Sequence, residues 1–255
     1  MKYGIVIPCY NESERLPFRA FELFLQSNPE HICCFVNDGS NDDTLLKLLA
    51  FKLRVGRQVD VYDMPQNTGK AEAVRAGVNC LLKYENIQSI GFLDADLATG
   101  FVDYTRLERE LEENNQEMVI GSRKDDDSLD IQRSNFRSLF SYGIGLMIKL
   151  VVRLPIKDTQ CGAKVFSSRS AAYLFASPFK SKRLFDIELF LRLKSLLGHK
   201  TMSFLKELPL TSWTDVEGSK LKTKDAIQIP VMLIRIALYS RLSVSNTDYM
   251  PRKAA

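Results

Sequence analysis

The chain has 255 residues, of which 45% are hydrophobic and 26% are charged. This composition is typical of a folded globular protein and excludes a disordered chain. The formal net charge of +4 is small and dispersed, so it does not indicate a nucleic-acid partner. The five cysteines lack C-x-x-C spacing, and they predict neither a disulfide framework nor a zinc site.

Hydropathy bears on membrane contact. The sequence begins with a strand-like run and leaves no room for the regions of a signal peptide, which favours a cytosolic location. The sequence contains no window of 18 or more uninterrupted apolar residues, so a membrane-spanning helix is not expected. The apolar segments 139–156 and 229–242 are bordered by cations, so they fit either core helices or helices at the interface of an anionic leaflet. Periodicity does not separate these alternatives.

The first 120 residues alternate short apolar runs with amphipathic runs, which predicts an α/β fold with a mostly parallel sheet covered by helices. The expected strands lie near 3–8, 31–37, 58–63, 89–94 and 117–121. The expected helices lie near 17–27, 42–53, 69–84 and 104–114.

The alternation ends after about residue 122. There we expect a charged loop over 123–133, the first long apolar helix, a Cys/Gly turn at 158–163, helices near 168–177 and 184–198, strands near 202–208 and 211–216, and the last apolar helix. No repeat or low-complexity linker interrupts the chain. We therefore expect one domain over 1–242, with a nucleotide-binding half (1–121), an acceptor half (122–242) and a polar tail (243–255).

Polar clusters follow the first four expected strands. They are Asn11-Glu12-Ser13, Asn37-Asp38-Gly39-Ser40, Asn67-Thr68-Gly69-Lys70 and Asp94-Ala95-Asp96. Because ligands bind outside the carboxyl ends of parallel strands, these clusters predict a single binding cleft.

Asp94 and Asp96 form the most informative of these clusters. They follow the apolar run 89–93, and carboxylates at the end of a buried strand suit a hard cation that also binds phosphate. A second D-x-D at 125–127 lies among charged residues, where a solvated loop is the better interpretation.

Several other site types are disfavoured. Strand one is not followed by G-x-G-x-x-G, and Thr68-Gly69-Lys70 lacks the upstream glycine and the following Ser or Thr of a P-loop. No G-x-S-x-G elbow is present, and we interpret His31 and His199 as structural or exposed. A nicotinamide oxidoreductase, an NTP hydrolase and a serine hydrolase are therefore not expected.

The motif order has a known counterpart. The series 6–12, 36–40 with Asp42 and Thr44, 67–70 with 76–77, and 93–96 resembles the ordered motifs of the GT-A, family 2 inverting glycosyltransferases, which have a Rossmann-like, mostly parallel twisted sheet flanked by helices. The later motifs at 121–123, 158–166, 185–188, Trp213 and 218–220 resemble the dolichyl-phosphate β-glucosyltransferase and polyprenyl-phosphate sugar synthase branch. In this branch we expect C-terminal amphipathic helices at the membrane.

The resemblance implies roles for individual residues. It assigns Pro8, Tyr10, Glu12 and Asp38 to the base and ribose of a UDP- or GDP-linked sugar, with UDP-glucose favoured. It places Lys70 and Asp94 in the same pocket, and it assigns Mg²⁺ or Mn²⁺ to Asp96, with Asp94 beside it. Ala98 stands where some relatives carry a third ligand, a glutamine. Arg123 would neutralise charge on the leaving diphosphate.

The acceptor remains open at this point. If it is a hydroxyl of a saccharide, a base is needed, and Asp158, Asp186 and Glu188 are candidates. Asp158 could instead stabilise the turn in which it lies. If the acceptor is a polyprenyl phosphate, the attacking oxygen is already anionic, and Arg123, Lys164, Ser219 and Lys220 would guide it. A non-catalytic scaffold is a third hypothesis, and the sequence does not decide between a monomer and a homo-oligomer.

Overall fold

A computed structural model describes residues 2–123, 147–182, 184–213, 232, 233 and 236. The strands are β1 (Lys2–Cys9), β2 (His31–Asp38), β3 (Val59–Met64), β4 (Ile87–Phe92), β5 (Met118–Ser122), β6 (Lys164–Ser167) and β7 (Leu205–Pro209). The helices are α1 (Phe18–Ser27), α2 (Thr44–Val55), α3 (Lys70–Leu81), α4 (Phe101–Glu113), α5 (147–152), α6 (Ser168–Leu174), α7 (Phe185–Leu197) and α8 (Thr201–Phe204).

These strands form one seven-stranded sheet in the order β3-β2-β1-β4-β6-β5-β7. The pairs β2–β3, β1–β2, β1–β4 and β5–β7 are parallel, whereas β6 runs antiparallel to β4 and β5. The predicted α/β fold with a mostly parallel sheet is confirmed. Strand β6 was not predicted, because its four residues are all buried and show no alternation of polar and apolar side chains.

Of two further expected strands, one is confirmed with a later start and the other is wrong. The strand expected near 202–208 begins only at Leu205, after the short helix α8. The described part of the strand expected near 211–216, residues 211–213, is not a strand. Its backbone N–H groups at Thr211 and Ser212 donate to the carboxylate of Asp103 at 3.0 and 3.1 Å instead of pairing with a neighbouring strand.

The two faces of the sheet are both covered, which explains why β1 is a continuous apolar run. Along this strand Val6 points to the layer formed with α3, whereas Ile5 and Ile7 point to the layer formed with α1, α2 and α4. This alternation follows from the two-residue period of a strand. Because β1, β2 and β4 are parallel, their carboxyl ends lie at the same edge of the sheet.

The structure describes only parts of the apolar segments 139–156 and 229–242, which fit either core helices or helices at a membrane interface. Ile148, Val152 and Ile156 of the first are buried in the layer beside α3, whereas Leu150 is 64% exposed. Leu233 and Ile236 of the second are buried in the same layer. Five of these six side chains therefore fit the core alternative, and Leu150 does not. In the described ranges, every helix is too short or too polar to cross a bilayer.

The close approach of α3 to the sheet depends on Gly77. A Cβ atom at this position would lie 2.4 Å from Val6 Cγ1 and 2.9 Å from Val36 Cγ2. Both contacts are closer than carbon atoms can approach without displacement of the helix. Helix α3 carries Lys70 at its first position, so its distance from the sheet also sets the position of that side chain.

We predict that Gly77→Ala lowers the free energy of unfolding by about 1–3 kcal/mol, because the added methyl group overpacks the contact between α3 and β1. The urea midpoint of unfolding measures this effect. As a control, Gly100→Ser adds a side chain in open space at the first turn of α4, where serine is a favoured capping residue. Equal midpoints for Gly77→Ala and the wild type would contradict this account of the packing.

Candidate donor-binding site

A cavity of about 450 Å³ opens at the edge of the sheet where β1, β2 and β4 end. It contains every residue that the sequence assigned to nucleotide or metal binding: Pro8, Tyr10, Glu12, Asp38, Lys70, Asp94 and Asp96. The carboxyl ends of three parallel strands and the first turn of α3 thus bring together residues from four separate motifs.

Asp38 organises the loop that follows β3. One carboxylate oxygen accepts hydrogen bonds from the backbone N–H (2.7 Å) and the hydroxyl (3.0 Å) of Thr68. The other accepts the backbone N–H of Gly69 at 2.8 Å. Gly69 has φ +98°, a conformation that favours glycine. Since each carboxylate oxygen offers about two acceptor sites, the second oxygen retains capacity for one further donor.

The loop after β1 is joined to the loop after β2. The backbone N–H groups of Asn11 and Glu12 donate to Ser40 Oγ (3.0 Å) and Thr44 Oγ1 (2.8 Å). The Glu12 carboxylate pairs with Arg15 at 2.8 Å through Oε1, while its buried Oε2 meets no donor from the described residues. Burial is the main cause of the raised pKa of Glu12. These contacts fix the base of the cavity before any ligand binds.

Asp94 is held between a cation and a glycine. Its Oδ1 pairs with Lys70 Nζ, and a Cβ atom at Gly162 would lie 2.1 Å from its Oδ2. Burial acts to lower the pKa of Lys70, but Asp94 and then Asp186 outweigh this effect, so the pKa is raised and the ammonium form is favoured. Asp94 is therefore already neutralised by a protein cation, which limits what it can offer to a metal ion.

Asp96 differs from Asp94 in this respect. Its Oδ1 caps the turn by accepting the backbone N–H of Ala98 at 3.0 Å, and Oδ2 has no hydrogen bond from the described part of the chain. That part contains no group of three or more Asp, Glu, His or Cys side chains arranged to hold a metal. Mg²⁺ sites commonly use one or two carboxylates and complete their coordination with phosphate and water, so the donor set around Asp96 fits such an ion.

Arg123 and Asp158 form a two-pronged ion pair. Arg123 Nε and Nη2 donate to the two oxygens of Asp158 at 2.7 and 2.9 Å, and the Arg123 backbone N–H adds a third bond at 3.2 Å. Burial acts to raise the pKa of Asp158, but the bonds from Arg123 outweigh it, so the pKa lies below its ordinary value. Asp158 Oδ1 also accepts the backbone N–H of Gln160, so the carboxylate stabilises its turn. This favours the turn-stabilising role of Asp158 over a role as general base.

The guanidinium of Arg123 also lies 5.6 Å from the ring of Trp213, in cation–π contact. The remaining predicted acceptor residues are placed less favourably. Lys164 has no exposed surface, and its ammonium is bound to Asp186 Oδ1 and to the Cys161 carbonyl, both at 2.6 Å. The expectation that Lys164 contacts an acceptor phosphate is therefore corrected to an internal role. Ser219 and Lys220 lie outside the described residues.

Asp186 and Glu188, the other candidate bases, are both buried. Asp186 is paired with Lys164, and Glu188 is paired with Arg192 Nη2 at 2.6 Å. Each of the three carboxylates considered as a base is thus engaged by a protein cation.

Comparisons with known proteins agree with this geometry. The family model described as glycosyl transferase family 2 matches residues 4–174. A dolichyl-phosphate β-glucosyltransferase of Trichomonas vaginalis is 31% identical, over 94% of this chain and 74% of that protein. The mouse enzyme of the same name is 34% identical, over 86% of this chain and 69% of its own length.

The chain belongs to glycosyl transferase family 2.

Solved structures show the fold of the family 2 chain. Glucosyl-3-phosphoglycerate synthase from Mycobacterium tuberculosis superposes with a TM-score of 0.66 at 16% identity, covering 96% of this chain and 82% of that one. The same enzyme in complex with Mn²⁺ and UDP-glucose gives a TM-score of 0.66 at 15% identity, covering 96% and 80%. The sheet described above is therefore of the GT-A type.

The cavity of the family 2 chain also has lining residues that the sequence did not assign to the site: Cys9, Asn67, Gly69, Ala73 and Ala95. Most of them belong to motifs that were recognised. Ala73 is the exception. It could have been predicted because it lies three residues after Lys70 and therefore on the same face of α3.

We predict that Asp158→Asn destabilises the protein by about 2 kcal/mol at pH 7, because it removes half of a largely buried ion pair whose arginine is partly screened by solvent. The folded-state pKa of Asp158 is depressed, so its stabilising effect is present above the pKa of the unfolded chain and is lost as pH falls through the folded-state value. The difference between variant and wild type in urea unfolding should therefore shrink on acidification from pH 7 to below pH 4. A difference that is constant over this range would contradict the role given to the ion pair.

Proposed function

We propose that the chain is an inverting, metal-dependent hexosyltransferase that transfers glucose from UDP-glucose to a dolichyl or other polyprenyl phosphate at the cytosolic face of a membrane. The observation that carries the proposal is that one cavity contains two different carboxylates. Asp94 is neutralised by Lys70, whereas Asp96 has an Oδ2 with no partner among the described residues. The names of the relatives, dolichyl-phosphate β-glucosyltransferases, support the acceptor and the sugar.

The nucleotide would bind across the ends of β1 and β2. Asp38 has one acceptor site left on Oδ2 after binding the loop of Thr68 and Gly69, and this site would take a base N–H group. Pro8, Tyr10 and Glu12 line the same part of the cavity and would contact the base and ribose. Residues 1–121 would then form the nucleotide-binding half, and residues 122–242 would supply the acceptor side.

Asp96 would hold a Mg²⁺ or Mn²⁺ ion together with the diphosphate, and Asp94 would lie beside it. When bound, such an ion neutralises charge that develops on the departing nucleoside diphosphate. Lys70 is paired with Asp94, and Arg123, held by Asp158, directly follows β5 within electrostatic range of Asp94. The ion and these two cations, each held by a carboxylate, would lie around the departing diphosphate.

The state of the carboxylates favours a phosphate acceptor over a hydroxyl acceptor. A hydroxyl requires a base to take its proton, but Asp158, Asp186 and Glu188 are each engaged by a cation. A phosphate oxygen is already anionic and attacks the anomeric carbon directly. The new carbon–oxygen bond forms on the face opposite the departing UDP, so the configuration of the anomeric carbon inverts. Lys220 and Ser219 are proposed to guide this phosphate.

The activity test is release of nucleoside diphosphate from UDP-glucose and from other UDP- and GDP-sugars, with Mg²⁺ or Mn²⁺, with and without a polyprenyl phosphate in detergent. We expect release that requires UDP-glucose, metal and lipid phosphate together. Release that depends on a soluble saccharide and not on the lipid would contradict the proposed acceptor, and release from another sugar nucleotide alone would contradict the proposed donor.

Removing the Asp96 carboxylate should separate catalysis from folding. We predict that Asp96→Asn lowers kcat/KM by about 100-fold or more, the loss expected when a main contributor to leaving-group stabilisation is removed. The unfolding midpoint should change little, because Asn can still accept the Ala98 N–H bond. Asp43→Asn is the matched control, since Asp43 is an exposed carboxylate at the start of α2 that makes no capping bond. Retained turnover in Asp96→Asn would remove this residue from the mechanism.

A further inference from the structure

An exposed lysine outside the recognised motifs lies at the rim of the cleft. The stem of Lys182 crosses Gly69, so that a Cβ atom at Gly69 would lie 3.5 Å from Lys182 Cδ and 3.7 Å from its Cβ. Gly69 lines the cavity and immediately precedes Lys70 at the start of α3. Lys182 forms no ion pair with any residue that the structure describes, and its ammonium lies only two bonds beyond Cδ.

The segment that carries Lys182 is fixed on the α7 side. Arg192 donates to the carbonyl oxygens of Leu174, Ser177 and Pro178 at 2.6, 2.8 and 2.8 Å. Its guanidinium also lies 4.4 Å from the ring of Phe179. One side chain thus holds three backbone carbonyls and an aromatic ring of the same loop.

Two glutamates fix the segment further. Glu188 pairs with Arg192 and accepts the backbone N–H of Lys180 at 2.9 Å. Glu72, in the first turn of α3, accepts the backbone N–H of Phe179 at 2.8 Å. The loop is therefore tied to the same helix that begins at the cleft. None of these contacts involves the side chain of Lys182.

The charge of the cleft calls for another cation. Its lining contains four carboxylates, Glu12, Asp38, Asp94 and Asp96. Glu12 is paired with Arg15 and Asp94 with Lys70, so two of the four have no cation partner among the described residues. A donor diphosphate adds about two negative charges and a divalent cation removes two, so negative charge remains in excess. Arg123 is engaged by Asp158. A nearby ammonium with no ion-pair partner among the described residues would reduce this excess at low cost, because its stem is already ordered against Gly69.

We propose that Lys182 is a donor-binding residue whose ammonium supplies positive charge to the diphosphate of the nucleotide sugar from the rim above Gly69. This inference rests on the proposed function and names a residue of its donor site. Lys182 does not take part in bond breaking; it acts by favouring the bound state of an anionic ligand.

The test compares the binding of UDP and of uridine in the presence of Mg²⁺, by calorimetry for UDP and by NMR titration for uridine. The variants are Lys182→Gln, Lys182→Arg and the control Lys83→Gln, which removes one charge just beyond the far end of α3. We expect Lys182→Gln to weaken UDP binding about 3- to 10-fold and to leave uridine binding unchanged. Lys182→Arg should remain within about twofold of the wild type, and the loss in Lys182→Gln should shrink as salt is raised.

Equal UDP affinity in Lys182→Gln and the wild type would overturn the inference. A loss of the same size for uridine and UDP would also overturn it, because the contact would then be to the nucleoside. Either result would leave the proposed function intact, provided that the wild-type protein binds UDP. If the wild-type protein binds neither UDP nor UDP-glucose, the proposed function itself fails.

Discussion

Two lysine ammonium groups meet at the ring of Phe92, the last residue of β4. Lys70 Nζ lies 5.9 Å and Lys164 Nζ 5.5 Å from the ring centroid, and they are paired with Asp94 and Asp186 respectively. A fully buried ammonium such as that of Lys164 is costly unless its charge and donors are satisfied. The Lys164–Asp186 pair therefore joins β6 to α7, and the contacts of both lysines with Phe92 link them to the end of β4, two residues before Asp94.

This arrangement sorts the carboxylates by their availability. Asp94 is paired with Lys70 at the cavity, Asp186 with the buried Lys164, and Asp158 with Arg123. Asp96 retains an oxygen with no partner among the described residues, at the edge of the cavity. This arrangement supports the proposal of an ion that arrives with the diphosphate and of an acceptor that brings its own negative charge. The proposed role of Asp96 thus depends on its lack of a cation partner, which distinguishes it from Asp94, Asp158 and Asp186.

The nucleotide half was predictable because its signals are local. A polar cluster follows each of the first four strands, three of which (β1, β2 and β4) are mostly apolar runs, and parallel topology brings their ends together. The acceptor half was less predictable. Strand β6 is four buried residues that include a lysine, and the role of Asp158 depends on Arg123, which lies 35 residues away in sequence. Lys182 carried no sequence signal, because its position results from contacts that Arg192 and Glu72 make with its loop.

The central claim is that the metal site is completed only when a diphosphate joins Asp96. Mn²⁺ binding, followed by electron paramagnetic resonance with and without UDP, tests this most directly. We expect weak binding of Mn²⁺ to the protein alone and binding at least about 10-fold tighter with UDP, because one free carboxylate is a poor site and phosphate oxygens supply further ligands. Uridine should not reproduce the effect. Equally tight Mn²⁺ binding with and without UDP would contradict the account.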